Sequence, residues 1–188
     1  MGFSVTWVAI QGHQPVSILA ALSLVPTGQT CKYLEHKGIT SYQMSSGWYI
    51  VFAHGCGHDM ASAACLEALS ADCTVLACNV EDHVGFWRSE LWRGGRSVWS
   101  ATFTSEDEVE AVEVTGAPPA RYAELLRTAE SASSSVEGHC HGDIPMILAK
   151  DVTGFLHEDI HPEIEEARFQ ILRSTRPEVP WWRRWLKV

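Results

Sequence analysis

Hydrophobic positions in the first two thirds of the chain recur mainly at the spacing of β-strands. Four apolar runs predict strands, at residues 3–10, 48–53, 73–80 and 109–115. The run at 73–80 consists of small and apolar residues without polar alternation, which is typical of a central strand buried on both faces. Residues 84–103 predict two further strands joined at Gly94-Gly95, because a tight primed turn needs the positive φ that glycine adopts readily.

Helical spacing becomes dominant later in the chain. Helices are predicted after Pro15, over residues 59–69, after Pro118-Pro119, over 143–152 and over 162–172. Asp59 and Asp143 are candidate N-caps, and Gly154 is a candidate helix stop. We therefore predict an α+β fold with a mostly antiparallel sheet, helices packed on it and a helical C-terminal part. Residues 1–188 form one domain in this prediction, strand-rich over 1–116 and helical, with a Trp/Arg tail, over 117–188.

Composition indicates a folded protein. Apolar residues make up 46% of the chain and charged residues 20%. No run approaches the roughly 20 apolar residues of a membrane-spanning helix, and residues 1–11 lack the basic flank of a signal peptide. The six cysteines are therefore predicted to be reduced thiols, several of them buried among apolar residues. These features favour a cytoplasmic protein.

Charge is distributed unevenly along the chain. Residues 1–167 hold 8 basic and 22 acidic side chains, a balance of −14, whereas residues 168–188 hold 6 and 1, a balance of +5. An acidic body argues against nucleic-acid binding, which requires basic side chains that neutralise phosphates. It is compatible with a basic protein partner, although an acidic surface also serves simply to keep a protein in solution.

Two histidine- and cysteine-rich segments are candidates for a metal site. The first contains His54, Cys56 and His58 on a glycine-rich turn, and the second contains His139 and His141. Imidazole and thiolate are zinc ligands, and glycine lets a backbone approach an ion closely. Neither segment has the paired spacing typical of zinc motifs, so a turn and a loop that happen to contain these residues remain the alternative.

Glu81 and Asp82 follow the predicted buried strand and precede His83. A carboxylate next to a histidine can act as an acid–base pair, but a solvated turn has the same composition. The sequence contains no nucleophile elbow, phosphate-binding loop or cofactor motif. We accordingly predict no cofactor and favour a non-enzymatic role, in which Glu81, Asp82 and Trp92 are candidate partner-binding residues.

The C-terminal tail interleaves tryptophan with basic residues, and three interpretations of it stay open. Its candidate contact residues are Trp181, Trp182, Arg183, Arg184 and Trp185. They can fold back on the acidic body, bind a protein partner as Trp and Arg commonly do, or anchor at a membrane surface.

Three segments resemble a group of small, acidic bacterial proteins of uncharacterised function. They are residues 6–12 (TWVAIQG), Thr27-Gly28 and residues 148–155 (LAKDVTGF). In size, acidity and lack of a reaction motif, the chain is also similar to immunity proteins that neutralise bacterial toxins. That likeness implies an immunity-type inhibitor of a basic toxin. The alternative prediction is a small metal-assisted hydrolase that uses the cluster at residues 54–58.

Overall fold

The computed structural model describes residues 2–105, 111–132, 141–159 and 161–176. These residues form nine strands: β1 (Ser4–Gln11), β2 (Leu24–Cys31), β3 (Ile39–Gln43), β4 (Tyr49–His54), β5 (Thr74–Glu81), β6 (Phe86–Arg93), β7 (Arg96–Thr104), β8 (Val112–Gly116) and β9 (Phe169–Ser174). They also form five α-helices: α1 (Pro15–Ala21), α2 (Ala63–Leu69), α3 (Arg121–Ala132), α4 (Ile144–Thr153) and α5 (Pro162–Glu166). None of these helices has the length and apolar character needed to cross a membrane.

All nine strands lie in one sheet, in the order β2-β9-β3-β4-β1-β5-β6-β7-β8. Every neighbouring pair is antiparallel, which confirms the predicted α+β class with an antiparallel sheet. The N-terminal strand β1 occupies the middle of the sheet, between β4 and β5. Strands from both ends of the described chain are therefore needed to complete the sheet.

The sheet carries a hydrophobic core on each side. Trp7 of β1 belongs to the core on the first face, which α3, α4 and α5 cover, and Val8 belongs to the core on the second face, which α1 and α2 cover. Both side chains are fully buried. Strands with two buried faces read as continuous apolar runs, which is why β1, β4 and β5 were recognisable without polar alternation. The prediction that residues 73–80 form a central, doubly buried strand is confirmed.

The end of the described chain differs from the prediction. The helix predicted over 162–172 ends at Glu166 in α5, and the chain then enters β9, which pairs with β2 and β3. Phe169 packs in the core of the first face and Leu172 in that of the second, as the alternation of a strand requires. Their three-residue spacing also fits one helical face, so the sequence pattern was ambiguous until β2 and β3 offered backbone partners. The predicted helical part is thus confirmed for α3, α4 and α5, whereas the tail lies outside the described residues.

Two local predictions are also corrected. The helix expected over 59–69 is a 3-10 turn at Asp59–Ala61 followed by α2, and the cap is His58, whose Nδ1 accepts the Met60 N–H at 3.2 Å. Asp143 precedes α4 without a side-chain cap hydrogen bond. By contrast, Gly154 ends α4 as predicted, with a left-handed φ of 75° and an N–H that donates to the Lys150 carbonyl.

The hairpin of β6 and β7 is confirmed. Gly94 and Gly95 have φ values of 59° and 70°, as a primed two-residue turn requires. Trp99 is buried, whereas Trp87 and Trp92 are half-buried against the first and second cores respectively.

Five described cysteines are free thiols, and three of them are buried, as predicted. Burial raises the pKa of the Cys78 thiol well above its usual value, so this sulfur behaves as a small apolar group in the core. Cys140 lies outside the described residues.

A buried histidine follows α4 on the first face. The His157 ring packs edge-on against Phe3, with 4.9 Å between ring centroids, and its backbone carbonyl accepts the Tyr33 hydroxyl at 2.8 Å. Its Nδ1 is buried without a hydrogen-bond partner among the described residues. Burial lowers the pKa of His157 to about 4, with a smaller opposing effect from Asp82.

Acidification should therefore weaken the fold through His157. In the unfolded chain His157 becomes protonated below about pH 6.5, whereas in the folded chain it stays neutral until about pH 4. The free energy of unfolding therefore falls as the pH is lowered across this interval. The full shift corresponds to roughly 3 kcal/mol. Urea unfolding at pH 7 and pH 4.5 should show a smaller pH-dependent loss for His157→Leu than for the parent. The control His83→Gln, at an exposed histidine, should retain the parental loss; equal losses in His157→Leu and the parent would contradict the assignment.

Candidate functional site

Strands β6, β7 and β8 present polar and aromatic side chains on the second face of the sheet, beyond the helices that cover β1 and β5. Arg88 pairs with Asn79, Glu90 with Ala77 and Trp92 with Val75, which places the three β6 side chains on the second face. We call this surface the open face; its residues are Phe86, Arg88, Glu90, Trp92, Thr102 and Glu113. Helix α4 contacts β6 and β7 from the other side, where Ser89 Oγ donates to the Pro145 carbonyl at 2.7 Å.

A charged network organises the centre of the open face. Arg88 donates from Nε to Glu90 Oε1 at 3.3 Å and from Nη2 to Oε2 at 3.2 Å. The Trp92 indole N–H donates to the same Oε2 at 2.9 Å. The Glu90 side chain is only 7% exposed, whereas that of Arg88 is 40% exposed. A nearly buried carboxylate therefore fixes the orientation of two side chains that reach the surface.

Alternation along β6 creates this network. Residues 88, 90 and 92 are two apart, so their side chains leave the strand on one face and stand side by side. Sequence reasoning selected Trp92 and missed Arg88 and Glu90. The Arg-x-Glu-x-Trp alternation inside a predicted strand was the available signal, but it does not say which face a helix covers.

Glu81 and Asp82 have partners within the fold. Ser4 Oγ donates to Glu81 Oε2 at 2.5 Å, and Asp82 accepts the Phe3 backbone N–H at 2.6 Å. The other Asp82 oxygen accepts the Trp87 indole N–H at 3.0 Å. Both carboxylates thus secure the start of β1 against the end of β5, and their half-buried positions leave part of each side chain at the surface.

The turn at residues 54–58 does not gather its histidines and cysteine into a ligand cluster. The His54 ring packs against Phe52 of the first core, with 5.5 Å between ring centroids. The His58 ring instead lies beside the second core, where its Nδ1 accepts the backbone N–H of the buried Met60 at 3.2 Å. The two imidazoles therefore leave the sheet on opposite sides. Burial lowers the pKa values of both histidines and raises that of Cys56.

Backbone hydrogen bonds give this glycine-rich turn a structural role. The Cys56 N–H donates to Ser4 Oγ at 3.1 Å, and the Gly57 N–H donates to Asn79 Oδ1 at 3.1 Å. Thr6 Oγ1 donates to the Gly55 carbonyl at 2.9 Å. The polar side chains of β1 and β5 thus hold the turn through its main chain.

The other predicted site residues are those at 139–141 and in the C-terminal tail, and the described structure includes only His141 among them. His141 begins a 3-10 turn before α4, whose Gly142 packs beside Trp87 on the first face. His139 and the tail candidates Trp181, Trp182, Arg183, Arg184 and Trp185 lie outside the described residues. Residue 176, the last described position before the tail, contributes to a groove of about 610 Å³ beside α2, which Asp59 and Cys65 also line.

No family model, curated protein or solved structure matches the chain. The geometry of its own residues therefore supplies the argument for function.

Within the described ranges, one set of three side chains has ligand atoms close enough to share a metal ion: His13, Asp72 and Cys73. His13 follows β1, and Asp72 and Cys73 precede β5. Sequence reasoning missed this set because His13 is about sixty residues from Asp72 and Cys73 and meets them only through strand pairing. Burial, and to a smaller extent the Asp72 charge, raises the pKa of Cys73 to about 11.

Removal of Arg88 from the network should destabilise the fold. Arg88→Met keeps much of the aliphatic stem but leaves a nearly buried carboxylate without two donors, which costs about 1–3 kcal/mol. Arg93→Met is the matched control, because Arg93 is exposed and bonds only to the Thr74 hydroxyl in the described structure; we expect a change within about 0.5 kcal/mol. Urea unfolding measures both values. Equal effects of the two substitutions would show that Glu90 does not depend on Arg88.

Proposed function

We propose that this protein is a non-enzymatic protein-binding module, and specifically an immunity-type inhibitor that neutralises a basic bacterial toxin through the open face. The observation that supports this proposal is the network in which Glu90 orients Arg88 and Trp92. A protein that binds through such a surface covers its partner and needs no reacting group of its own.

Arg and Trp are the residue types that most often dominate the binding free energy of protein interfaces. Ordering a long side chain on binding costs about 0.5–1.5 kcal/mol. Because Glu90 already restrains Arg88 and Trp92 in the free protein, much of that cost falls on folding instead. The half-buried Phe86 and Thr102 extend the contact surface around these two side chains.

Charge favours a basic partner. The whole chain has a net charge of −9, and the open face carries Glu90 and the exposed Glu113 against Arg88. Arg88 largely compensates Glu90, so Glu113 and the neighbouring half-buried Glu81 leave this side of the sheet acidic. Complementary charge speeds the encounter of two proteins and selects among partners.

A cytoplasmic location is part of the proposal, and the free thiols of the described residues suit a reducing compartment. Trp181, Trp182, Arg183, Arg184 and Trp185 remain candidates for a second partner contact. The alternative, a metal-assisted hydrolase at residues 54–58, gains no support from a turn whose two histidines leave opposite faces of the sheet.

The test uses the product of the neighbouring gene, purified in an inactive form, as the candidate toxin. Isothermal titration calorimetry should show one-to-one binding that weakens as salt increases, because part of the attraction is electrostatic. Thr102→Arg adds bulk and positive charge beside Arg88 and should weaken binding at least about 100-fold, equivalent to about 2.7 kcal/mol. The parent should also protect growing cells from the active toxin, and Thr102→Arg should not.

Thr128→Arg on α3 is the matched control, because Thr128 is exposed and α3 covers the first face. It should bind like the parent, and both variants should melt within a few degrees of it. Unchanged binding by Thr102→Arg would exclude the open face as the interface. A neighbouring product that is neither toxic nor bound would overturn the immunity proposal.

A further inference from the structure

The pairing of β1 with β5 brings together the loop that follows β1 and the loop that precedes β5. Gln11 and Thr74 form the last pair of this ladder. Continuing the same register sets Gly12 opposite Cys73 and His13 opposite Asp72. The loops leave from adjacent strands and face each other because both strands are fixed in the doubly buried centre of the sheet.

Gly12 permits the close approach of the two loops. Its φ of 112° lies in the region that glycine adopts readily, and a Cβ at this position would lie 3.4 Å from that of Cys73. A larger residue at position 12 would strain the backbone, and its Cβ would lie in van der Waals contact with Cys73. The conformation of Gly12 thus keeps His13 beside the start of β5.

Three different ligand types converge where the loops meet. The side-chain ligand atoms of His13, Asp72 and Cys73 all lie within 4.8 Å of one another. His13 Nε2 is 2.5 Å from Asp72 Oδ1, and Cys73 Sγ donates to the Leu69 carbonyl at 2.9 Å. Cys73 is buried, the His13 side chain is 29% exposed and that of Asp72 is 74% exposed. The cluster is closed by protein on the sulfur side and open to solvent on the carboxylate side.

We propose that His13, Asp72 and Cys73 bind one Zn²⁺ ion, with a water molecule in the fourth position. Imidazole, carboxylate and thiolate all serve as zinc ligands, and three protein ligands with one open position form a recurring zinc arrangement. A thiolate selects against the hard cations Mg²⁺ and Ca²⁺, which prefer oxygen ligands. This site is separate from the turn at residues 54–58 and from the open face.

Metal binding requires a movement of the ligand atoms and the loss of the Cys73 proton. Ligands about 2.0–2.1 Å from a tetrahedral zinc lie about 3.3 Å apart, so the His13–Asp72 contact must widen by slightly less than 1 Å. The exposed Asp72 side chain has room to make this movement. The Cys73 thiol would lose its proton to solvent, together with its hydrogen bond to the Leu69 carbonyl, and the resulting thiolate would bind the metal.

The ion would connect the loop before α1 to the loop before β5. Both helices on the second face adjoin these loops, since α1 begins two residues after His13 and α2 ends at Leu69. Zinc binds the folded site and should therefore raise the melting temperature, as any ligand specific to the native state does.

The experiment uses the full chain without a histidine tag. Co²⁺, a spectroscopic substitute for Zn²⁺, should bind at one equivalent and give the near-ultraviolet charge-transfer absorption of a cobalt–thiolate bond. Cys73→Ser should abolish that absorption. His13→Gln and Asp72→Asn, at a half-buried and an exposed position respectively, should weaken binding. Removing a residue that only orients a ligand costs about 10–100-fold in metal affinity, so losing a ligand should cost at least about 10-fold.

Controls separate this site from other thiols and histidines. Cys65→Ser and His83→Gln should bind Co²⁺ like the parent, and Zn²⁺ should displace the cobalt and raise the melting temperature of the parent but not of Cys73→Ser. The absence of a thiolate absorption would overturn the proposal. So would an absorption that survives Cys73→Ser, or one that disappears in Cys140→Ser and thereby assigns the ion to residues 139–141. Unchanged affinity in both His13→Gln and Asp72→Asn would do the same.

Discussion

The burial of β1 on both faces is the constraint on which the rest of this structure depends. A strand with no exposed face must be covered by two separate cores, so the chain has to supply helices on each side of the sheet. It also has to supply neighbours on each edge, because every buried backbone N–H and carbonyl requires a partner. Strands β4 and β5 meet that requirement directly, and β9 returns from the far end of the described chain to fill the gap between β2 and β3.

This constraint decides where polar chemistry can lie. The centre of the sheet has no room for a functional group, so the polar side chains there, such as Thr6 and Asn79, are used to hold the turn at residues 55–58. Reactive and charged side chains are displaced to the strand ends and to β6, β7 and β8. The cluster of His13, Asp72 and Cys73 occupies one strand end, and the open face occupies the outer strands.

The two candidate sites differ in how much the fold has already stabilised them. On the open face, Glu90 is a nearly buried carboxylate whose charge Arg88 offsets, and breaking such a pair is more costly than making it is favourable. Its value lies in restraining Arg88 and Trp92, which suits a surface that recognises a protein. At the loop cluster, a thiol, an imidazole and a carboxylate are brought together with one side open to solvent, which suits an ion and a water molecule.

The sequence by itself determined the α+β class, the doubly buried strand at residues 73–80, the Gly94-Gly95 hairpin and the stop at Gly154. Each of these depends on contacts within a few residues or on an uninterrupted apolar run, so local chemistry was sufficient. The same reasoning selected Trp92 and offered the residues at 54–58 as an alternative metal site, but the sheet places His54 and His58 on opposite faces. Only tertiary structure decided that 169–174 is a strand, because Phe169 and Leu172 fit either period until β2 and β3 provided hydrogen-bond partners. Only strand register brought His13 to Asp72 and Cys73, and only the positions of α1 and α2 in the described structure left Arg88 and Trp92 partly exposed around the nearly buried Glu90. Strand pairing and the covering of the sheet by helices both depend on contacts between residues far apart in the chain. A local sequence pattern does not show which distant residues will meet.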